Sequence, residues 1–333
     1  MRVIFLTPHL RISGGVKVIC RFAHELANLG IETAVLPRKE KYKDMEWLSY
    51  TPHFRLLSFK NLDLDYVNSS TCVVHYQGSP AIEDFTIPEV LLLQGFVSED
   101  EKQLVSDDQM DIGRKPRLVI TVSKWLKDLV LKKYDVPTEV IHPGVDAHFT
   151  HKAVAKSRMV TIGSLYSNHK GKNFELFAQS IEDLYFNHKI RVYPIILTAD
   201  PVAKIRVFDK LCIPYTIIKT PPQDLLPYVY SSCHLWISPS ALEGFGLTTL
   251  EAMACGVPTL WYPSQGLAQH MQHGYNCIAV AHRKAIVNWV RKLIMNVGLY
   301  QSISKRGVHT AQQFKWGESA KRFAAVLTDT FGE

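Results

Sequence analysis

Short apolar runs and segments of helical period alternate along almost the whole chain. The apolar runs are rich in Val and Ile and only a few residues long, as in strands buried on both faces of a parallel sheet. The segments between them repeat apolar residues three and four positions apart, which is typical of amphipathic helices. This alternation predicts βαβ units and an α/β fold. In the first half, the predicted strands cover residues 3–6, 33–36, 72–75, 90–93, 118–122 and 139–141.

A second series of apolar runs begins after residue 158 and predicts a second domain of the same class. Its predicted strands cover residues 159–162, 192–197, 215–218, 235–237, 259–261 and 277–280. Over the whole chain, the clearest predicted helices cover residues 16–29, 124–133, 174–186, 225–231, 247–254, 285–297 and 318–331.

A segment that breaks both patterns separates the two series. It starts at Pro143 and continues with polar residues to Arg158, which is typical of a linker. We therefore predict an N-terminal Rossmann-like domain at residues 1–150 and a C-terminal one at residues 151–313, followed by a helix at 314–333. Two doubly wound parallel sheets of this kind predict a ligand cleft between the carboxyl ends of their strands.

The size and composition of the chain fit an ordered two-domain protein. Its 333 residues can bury two cores, and 47% hydrophobic against 21% charged residues predicts order throughout. The apolar N-terminus is too short for a signal peptide, and no run approaches the roughly 20 apolar residues of a spanning helix. We therefore expect a cytoplasmic protein.

Charge and cysteine content narrow the expected partners. The net charge of +7 suits an acidic substrate or an anionic membrane surface, but it is also compatible with an ordinary basic enzyme. The predicted helix at 125–134 is apolar on one side and lysine-bearing on the other, which permits peripheral membrane contact or packing on its own sheet. Basic pairs are scattered, so no nucleic acid partner is expected. The six cysteines form no Cys-x-x-Cys pair, and no cluster has metal-ligand spacing.

The strongest local motif is the run PSALEGFGLTTLEAMACGVP at residues 239–258. A buried strand leads into a glycine-containing turn and then into a helix. The backbone N–H groups of Gly246, Leu247 and Thr248 at this helix start have no intrahelical acceptors. They therefore predict a binding site for a diphosphate.

Two carboxylates flank this helix start. Glu243 lies in the turn and Glu251 about one turn inside the helix, so both can face one ligand. Each also has an ordinary explanation: Glu251 as a solvated helix carboxylate, and Glu243 as a charge that complements the helix dipole. The whole run, however, strongly resembles the Glu-x7-Glu signature of the retaining GT-B glycosyltransferases of family 4. The resemblance implies that Glu251 binds the ribose of a nucleotide sugar, that Glu243 contacts the transferred sugar, and that Phe245 is part of the donor site.

The resemblance extends over nearly the entire chain. Gly14 and Gly15, after the first strand, resemble the family's glycine loop, which approaches the donor diphosphate and where a Cβ would hold the backbone away. Residues 119–125 resemble the last regular strand and helix start of the first domain, and residues 140–146 resemble the segment that enters the linker. Residues 314–316 resemble the start of a C-terminal helix that crosses back to the first domain.

The run GSLYSNHKGKN at residues 163–173 departs from the family pattern at one position. The family has an arginine there and, six residues later, a lysine, which together bind the diphosphate. Lys170 fits the lysine, but Ser164 stands in place of the arginine. Each cation aimed at a departing diphosphate in a dry site lowers the barrier, so either another cation compensates or turnover is slow. The alternative explanation for Lys170 and Lys172 is that both lie in a solvated loop. The candidate replacement cations are Lys172, His169 and Arg11.

A second departure lies at Gln94, in the run LLLQGF at residues 91–96. The family usually has a histidine there, which touches the donor sugar near its O6 and the reacting centre. Glutamine forms hydrogen bonds but cannot carry a proton near neutral pH. Front-side displacement needs no side-chain base, so we expect Gln94 to alter which sugar is accepted, a 6-deoxy sugar being one candidate.

Two further polar sites lie in the first half. His75 ends a predicted strand and is expected, with Arg11, on the acceptor side, although a strand-end histidine satisfied by the backbone fits equally well. Asp63 and Asp65 mimic an Asp-x-Asp metal motif, but no convincing buried strand precedes them, so we predict a surface loop.

The predicted activity is that of a hexosyltransferase-type glycosyltransferase that needs neither metal nor cofactor. It moves a sugar from a nucleotide-diphosphate donor to a hydroxyl of a sugar, glycan or lipid-linked acceptor, in glycan, glycolipid or polysaccharide biosynthesis. Two alternatives remain. One is a sugar-nucleotide epimerase of the same fold. Such an enzyme needs extra acid and base groups, so the presence of Gln94, which is neither, argues against it. A non-catalytic sugar-nucleotide-binding protein binds the donor without turnover.

Overall fold

The computed structural model describes residues 1–39, 45, 47–48, 50–76, 82, 84–95, 116–155, 157–200, 208 and 212–332. The chain divides into two compact units, one formed by Met1–Gly144 with Phe314–Glu333 and the other by Val145–Gln313. Each unit is built on one parallel sheet, so the predicted α/β class with two parallel sheets is confirmed. The division falls after residue 144, whereas the sequence places the boundary after residue 150.

Both sheets have the strand order of a doubly wound fold. In the first, β1 (Arg2–His9), β2 (Glu32–Lys39), β3 (Arg55–Leu56), β4 (Cys72–Tyr76), β5 (Glu89–Leu93), β6 (Leu118–Thr121) and β7 (Thr138–Val140) run in the order β3-β2-β1-β4-β5-β6-β7. In the second, β8 (Val160–Tyr166), β9 (Val192–Thr198), β10 (Thr216–Lys219), β11 (Leu235–Ser238), β12 (Thr259–Trp261) and β13 (Ile278–Ala279) run in the order β10-β9-β8-β11-β12-β13. The order reverses between β1 and β4 and between β8 and β11, where ligands bind in such sheets.

Helices connect these strands. In chain order they are α1 (Gly14–Asn28), α2 (Leu64–Asn68), α3 (Lys124–Lys133), α4 (Phe174–Glu182), α5 (Leu226–Ser232), α6 (Leu247–Ala254), α7 (Gln265–Ala268), α8 (Arg283–Met295), α9 (Val297–Ala311) and α10 (Trp316–Phe331). Short turns of tighter or wider helix add Phe59–Asn61, Lys170–Lys172 and Asp183–Asn187.

Large aromatic side chains join α1 and α10 to the first sheet. The rings of Phe22 and Phe323 lie 5.0 Å apart, and Trp316 meets Phe22 edge-on at 5.3 Å. Phe323 also lies 6.0 Å from Phe5 on β1. All four side chains are buried. The C-terminal helix is therefore part of the core of the first unit.

The core of the second unit lies between its sheet and helices α4, α8 and α9. Ile162 and Leu235, on neighbouring strands, are fully buried with Phe177 of α4 and Ile286 of α8. Helix α9 is absent from the sequence-based prediction. Its buried face consists of Ile303, Gly307, Thr310 and Ala311, and only Ile303 among them has a large apolar side chain, so no apolar stripe stands out.

The predicted linker is packed rather than solvated. Residues 141–155 form neither helix nor strand, but Phe149 is buried with its ring 6.0 Å from that of Tyr230 on α5. His148 Nε2 lies 3.1 Å from the carbonyl oxygen of Gln223. The start of the second unit is thus fixed against α5.

The prediction that Asp63 and Asp65 form a surface loop is wrong in one respect. Both are exposed, but they begin helix α2, where the Asp63 carboxylate accepts a 3.1 Å hydrogen bond from the N–H of Tyr66. Such a bond is an N-cap. The helix buries only Val67, so its sequence has no apolar period that could predict it.

Candidate functional site

After the carboxyl ends of β1 and β5, two of the predicted residues of the first unit, Gly15 and Gln94, come into contact. Ser13 caps α1, and Gly14 and Gly15 form its first turn. Gln94, directly after β5, donates from Nε2 to the carbonyl oxygen of Gly15 at 3.2 Å. A Cβ on Gly15 would lie 2.5 Å from Cε2 of Tyr76, whereas one on Gly14 would meet nothing within 4 Å. A side chain at position 15 would therefore have to displace the tyrosine ring, a contact the sequence did not reveal.

His75 lies on β4 with its side chain only 4% exposed. Its Nε2 is 3.5 Å from Oε2 of Glu89 on the next strand. Burial, and next the charge of Arg38, lowers the pKa of His75 to about 4. The ring is therefore neutral at neutral pH, and its Nε2 has no hydrogen-bond partner among the described residues. Its role on the acceptor side stays a prediction.

Arg11 lies two residues beyond the end of β1 and is exposed. Burial, and next the positive charge of Arg11, lowers the pKa of His9. Arg11 therefore follows the carboxyl end of β1, and its role on the acceptor side stays a prediction.

In the second unit, the signature run forms the connection from β11 to α6. Gly246 has a left-handed backbone with φ +83° and precedes α6 without a side-chain cap. The helical ladder begins with the N–H groups of Thr249 and Leu250, which donate to the Gly246 carbonyl at 3.1 and 3.2 Å. The N–H groups of Leu247 and Thr248 precede this ladder and have no acceptor within the helix. This start of α6 has the chemistry of an anion site.

Glu251 is buried in the second turn of α6, with 3% exposure. The hydroxyl of Tyr230 on α5 donates a 3.0 Å hydrogen bond to its Oε2. Glu251 is therefore not a solvated helix carboxylate. A buried, oriented carboxylate can accept hydrogen bonds from a pair of ligand hydroxyls.

Glu243 forms an ion pair with Lys172. Oε1 of Glu243 lies 2.7 Å from Nζ of Lys172, and their side chains are 14% and 26% exposed. Lys170 begins the same turn, but its side chain lies outside the described part of the chain. Ser164 is fully buried in β8, and its hydroxyl has no hydrogen-bond partner among the described residues. Neither Lys172 nor Glu243 is thus an ordinary solvated surface charge.

Close backbone contacts fix the loops that carry these residues. The carbonyl oxygen of Gly171 accepts hydrogen bonds from the N–H groups of Ala241 and Leu242 at 2.9 and 3.3 Å. A Cβ on Gly171 would lie 2.6 Å from Cδ1 of Leu242. Beyond β12, a Cβ on Gly266 would lie 1.9 Å from the carbonyl oxygen of Glu243. The loops after β8, β11 and β12 therefore pack against one another. We call their contact region, formed by Gly171, residues 241–243 and Gly266, the loop clasp.

Two residues of this region were missed from the sequence. Tyr230 orients Glu251, and the ring of His270 lies 5.0 Å from that of Phe245, which is buried. Both come from elements outside the signature run, and neither belongs to a motif. Only the folded arrangement reveals them.

In the described part of the chain, no helix is long and apolar enough to cross a membrane. The same residues include no group of three or more His, Cys, Asp or Glu suited to a metal ion. The apolar residues Leu126 and Val130 of α3 are buried, whereas Leu131 is 51% exposed. The cytoplasmic location and the peripheral membrane contact expected from the sequence stay predictions.

Sequence comparison connects the signature run to a known family. Residues 215–310 match the family described as Glycosyl transferases group 1. The chain is 25% identical over 271 residues to D-inositol 3-phosphate glycosyltransferase of Streptomyces bingchenggensis, which covers 73% of this chain and 59% of that protein. It is 30% identical over 95 residues to O-antigen chain mannosyltransferase B of Escherichia coli, or 28% of this chain and 25% of that protein. The chain thus spans 59% of the length of the first of these relatives.

Structural comparison covers nearly the entire chain. Sucrose-phosphate synthase from Thermosynechococcus elongatus superposes with a TM-score of 0.79 at 14% identity, over 99% of both chains. Anabaena HepE, in complex with UDP and glucose, superposes with a TM-score of 0.80 at 14% identity, over 99% of this chain and 100% of that one. These neighbours share the fold of two parallel-sheet units. The chain therefore has the GT-B fold, and its residues 215–310 resemble the glycosyl transferases group 1 family.

Proposed function

We propose that this chain is a retaining glycosyltransferase that moves a hexosyl group from a nucleoside-diphosphate sugar to an acceptor hydroxyl. The observation that carries the proposal is the arrangement of the Glu-x7-Glu pair around the start of α6. Glu251 is buried and oriented by Tyr230, Glu243 is held in the loop clasp, and backbone N–H groups lie between them in sequence. This arrangement offers a carboxylate for ribose, an anion site for the diphosphate and a second carboxylate for the sugar.

The proposed roles follow from this chemistry. Glu251 accepts hydrogen bonds from the ribose hydroxyls, and the N–H groups of Leu247 and Thr248 bind diphosphate oxygens. Glu243 contacts the sugar, and Lys170 binds the leaving diphosphate, as the family resemblance implies. Lysine ammonium groups and backbone dipoles then stabilise the leaving charge, so we propose that no metal ion is needed.

Retention fits a front-side displacement. The bond from the anomeric carbon to the diphosphate oxygen breaks, and the acceptor oxygen bonds to the same face of that carbon. The acceptor proton passes to the leaving diphosphate oxygen. This route needs no side-chain nucleophile, which is consistent with Gln94 in place of a histidine. The names of these relatives support a sugar or sugar-like acceptor, and the UDP bound to HepE makes UDP-sugars the first donors to test.

The test is a thermal-shift panel of UDP, GDP, dTDP and their common sugars, without added metal, followed by product detection with candidate acceptors. A ligand at about one hundred times its dissociation constant adds roughly 2.7 kcal/mol of apparent stability. We expect one nucleotide to stabilise the wild type and to lose its effect in Glu251→Ala. Glu251→Gln keeps a hydrogen-bond acceptor for Tyr230 and controls for lost packing. Glu182→Ala removes an exposed carboxylate and controls for lost charge.

Each outcome of this panel decides between the candidates. Nucleotide binding together with transfer to an acceptor supports the proposal. Binding with interconversion of the donor sugar and no acceptor supports an epimerase, and binding with neither reaction supports a non-catalytic binding protein. A folded wild type that no nucleotide stabilises would overturn the proposal.

A further inference from the structure

The ion pair between Lys172 and Glu243 places a cation next to the signature run. The two charged atoms are 2.7 Å apart, and both side chains are largely withdrawn from water. Holding a lysine in this way costs side-chain entropy and solvation. In an exposed pair, the attraction between the two charges seldom offsets these costs. The residues that form the pair are 71 positions apart in the chain. The fold, rather than local sequence, brings them together.

The backbone on both sides of the pair is fixed. Gly171, directly before Lys172, accepts two backbone hydrogen bonds from the 241–242 segment, and its carbonyl oxygen is also 3.3 Å from the hydroxyl of Ser240. The carbonyl oxygen of Glu243 is packed tightly against Gly266. These contacts leave the long stem of Lys172 as the movable part. A lysine ammonium on four methylenes can exchange one anion for another nearby without any backbone motion.

The position where the family has an arginine offers no cation in this chain. Ser164 is fully buried in β8, and its hydroxyl carries no charge. Of the other candidates, His169 accepts a 3.2 Å hydrogen bond at Nδ1 from the N–H of Gly171, which engages that nitrogen in the turn. Lys172 instead directs its ammonium at Glu243, three residues before Gly246 and the N-terminus of α6.

We propose that Lys172 is a second phosphate-binding cation of the donor site, held on Glu243 until a nucleoside diphosphate binds. On binding, the ammonium moves from the Glu243 carboxylate to a diphosphate oxygen. This exchange compensates for Ser164 and frees Glu243 to accept hydrogen bonds from the sugar. The inference rests on the proposed function, because it needs the diphosphate at the start of α6.

The exchange predicts effects of opposite sign for the two partners. Removing the ammonium in Lys172→Met takes away a charged hydrogen bond to phosphate and should weaken UDP binding about 10- to 100-fold. Glu243→Gln neutralises the carboxylate that competes with phosphate for the Lys172 ammonium and that repels the diphosphate. This variant should therefore bind UDP several-fold more tightly. Uridine, which has no phosphate, should bind all variants equally. In the double variant the tightening caused by Glu243→Gln should disappear.

Calorimetric titration of UDP and uridine tests this, with GDP or dTDP and their nucleosides instead if those bind the wild type. Lys172→Arg keeps the charge and should bind within a few-fold of wild type. Lys292→Met removes an exposed lysine that lies over Trp289 on α8, and it controls for net charge. Thermal melts of each variant verify folding.

The results separate failure of the inference from failure of the proposed function. If wild type binds UDP and Lys172→Met binds it equally well, Lys172 does not contact phosphate and the inference is overturned. Equal losses for UDP and uridine in Lys172→Met would show a structural role and overturn it too. If the folded wild type binds none of these nucleotides, the proposed function fails and the inference fails with it.

Discussion

The hydroxyl of Tyr230 donates a 3.0 Å hydrogen bond to Oε2 of Glu251, and both side chains are buried. Burial, and next the charge of Glu251, raises the pKa of Tyr230 well above its ordinary value. The hydroxyl therefore keeps its proton and remains a donor. The tyrosine ring is itself held 4.9 Å from Trp236 and 6.0 Å from Phe149. An aromatic cluster thus orients the carboxylate proposed to bind ribose.

Tyr230→Phe removes this donor and keeps the ring. The Glu251 carboxylate loses a buried hydrogen bond and its fixed orientation, so we expect UDP affinity to fall about 10-fold. The free energy of unfolding should fall by about 1–2 kcal/mol. Calorimetry and urea unfolding measure the two effects. Tyr228→Phe, on the same helix but 50% exposed, should change neither. Wild-type UDP affinity in Tyr230→Phe would show that this bond does not orient Glu251 for the nucleotide.

Gly266→Ala tests the loop clasp. A Cβ at this position would lie 1.9 Å from the carbonyl oxygen of Glu243 and 2.6 Å from that of Gly244. Both are backbone atoms, which cannot turn away as a side chain would, so the loops must separate. We expect the free energy of unfolding to fall by about 2–4 kcal/mol, measured by urea unfolding.

The matched control for this change is Gly317→Ala on α10. A Cβ there would meet nothing within 4 Å, and alanine is the better helix former. Its stability should match or exceed that of the wild type by up to about 1 kcal/mol. If Gly266→Ala were as stable as Gly317→Ala, the close approach of the loops would be refuted.

Phe323→Ala tests how far α10 stabilises the first unit. The ring packs on Phe22 and Phe5 in the interior, so its loss leaves a cavity beneath the helix. Such truncations cost about 3–5 kcal/mol of unfolding free energy. Urea unfolding measures the loss, and Phe186→Ala, at a side chain that is 40% exposed, serves as the control. Equal stability of the two variants would mean that α10 contributes little to this core.

Most helices and strands could be predicted from the sequence, because the spacing of apolar residues that indicates each one lies within a single short segment. The bounds of α3 and α6 agree with the predicted ranges, and each predicted strand overlaps an observed one. Helix α9 was missed because the buried side of Gly307 and Thr310 faces α6 without an apolar stripe. Burial in the fold, rather than composition, defines that helix.

The candidate site was predictable only where a motif carries it. Glu243 and Glu251 could be predicted because they lie only eight positions apart, within one local motif. The partners of these carboxylates, Lys172 and Tyr230, are 71 and 21 residues away from them. No local pattern specifies such contacts, since they depend on which strand ends meet at the edge of the sheet.

Burial of His75 makes the stability of the protein sensitive to acid. The pKa of this histidine is about 4 in the folded protein, against an ordinary value near 6.5, because burial disfavours the charged ring. The unfolded chain therefore takes up a proton more readily than the native protein. The stability that results is fully present above about pH 6.5 and is lost as the pH falls from there toward 4.

His75→Gln removes this titration and keeps a neutral hydrogen-bonding side chain next to Glu89. Between pH 7 and 4.5, the wild type should lose about 2 kcal/mol more unfolding free energy than the variant, because only the wild type has this histidine to protonate on unfolding. Urea unfolding at the two pH values gives the difference directly, and His309→Gln, at an exposed histidine of α9, should behave as the wild type does. Parallel losses in His75→Gln and wild type would show that His75 is protonated in the native state, in which case the Glu89 carboxylate, 3.5 Å away, outweighs the effect of burial.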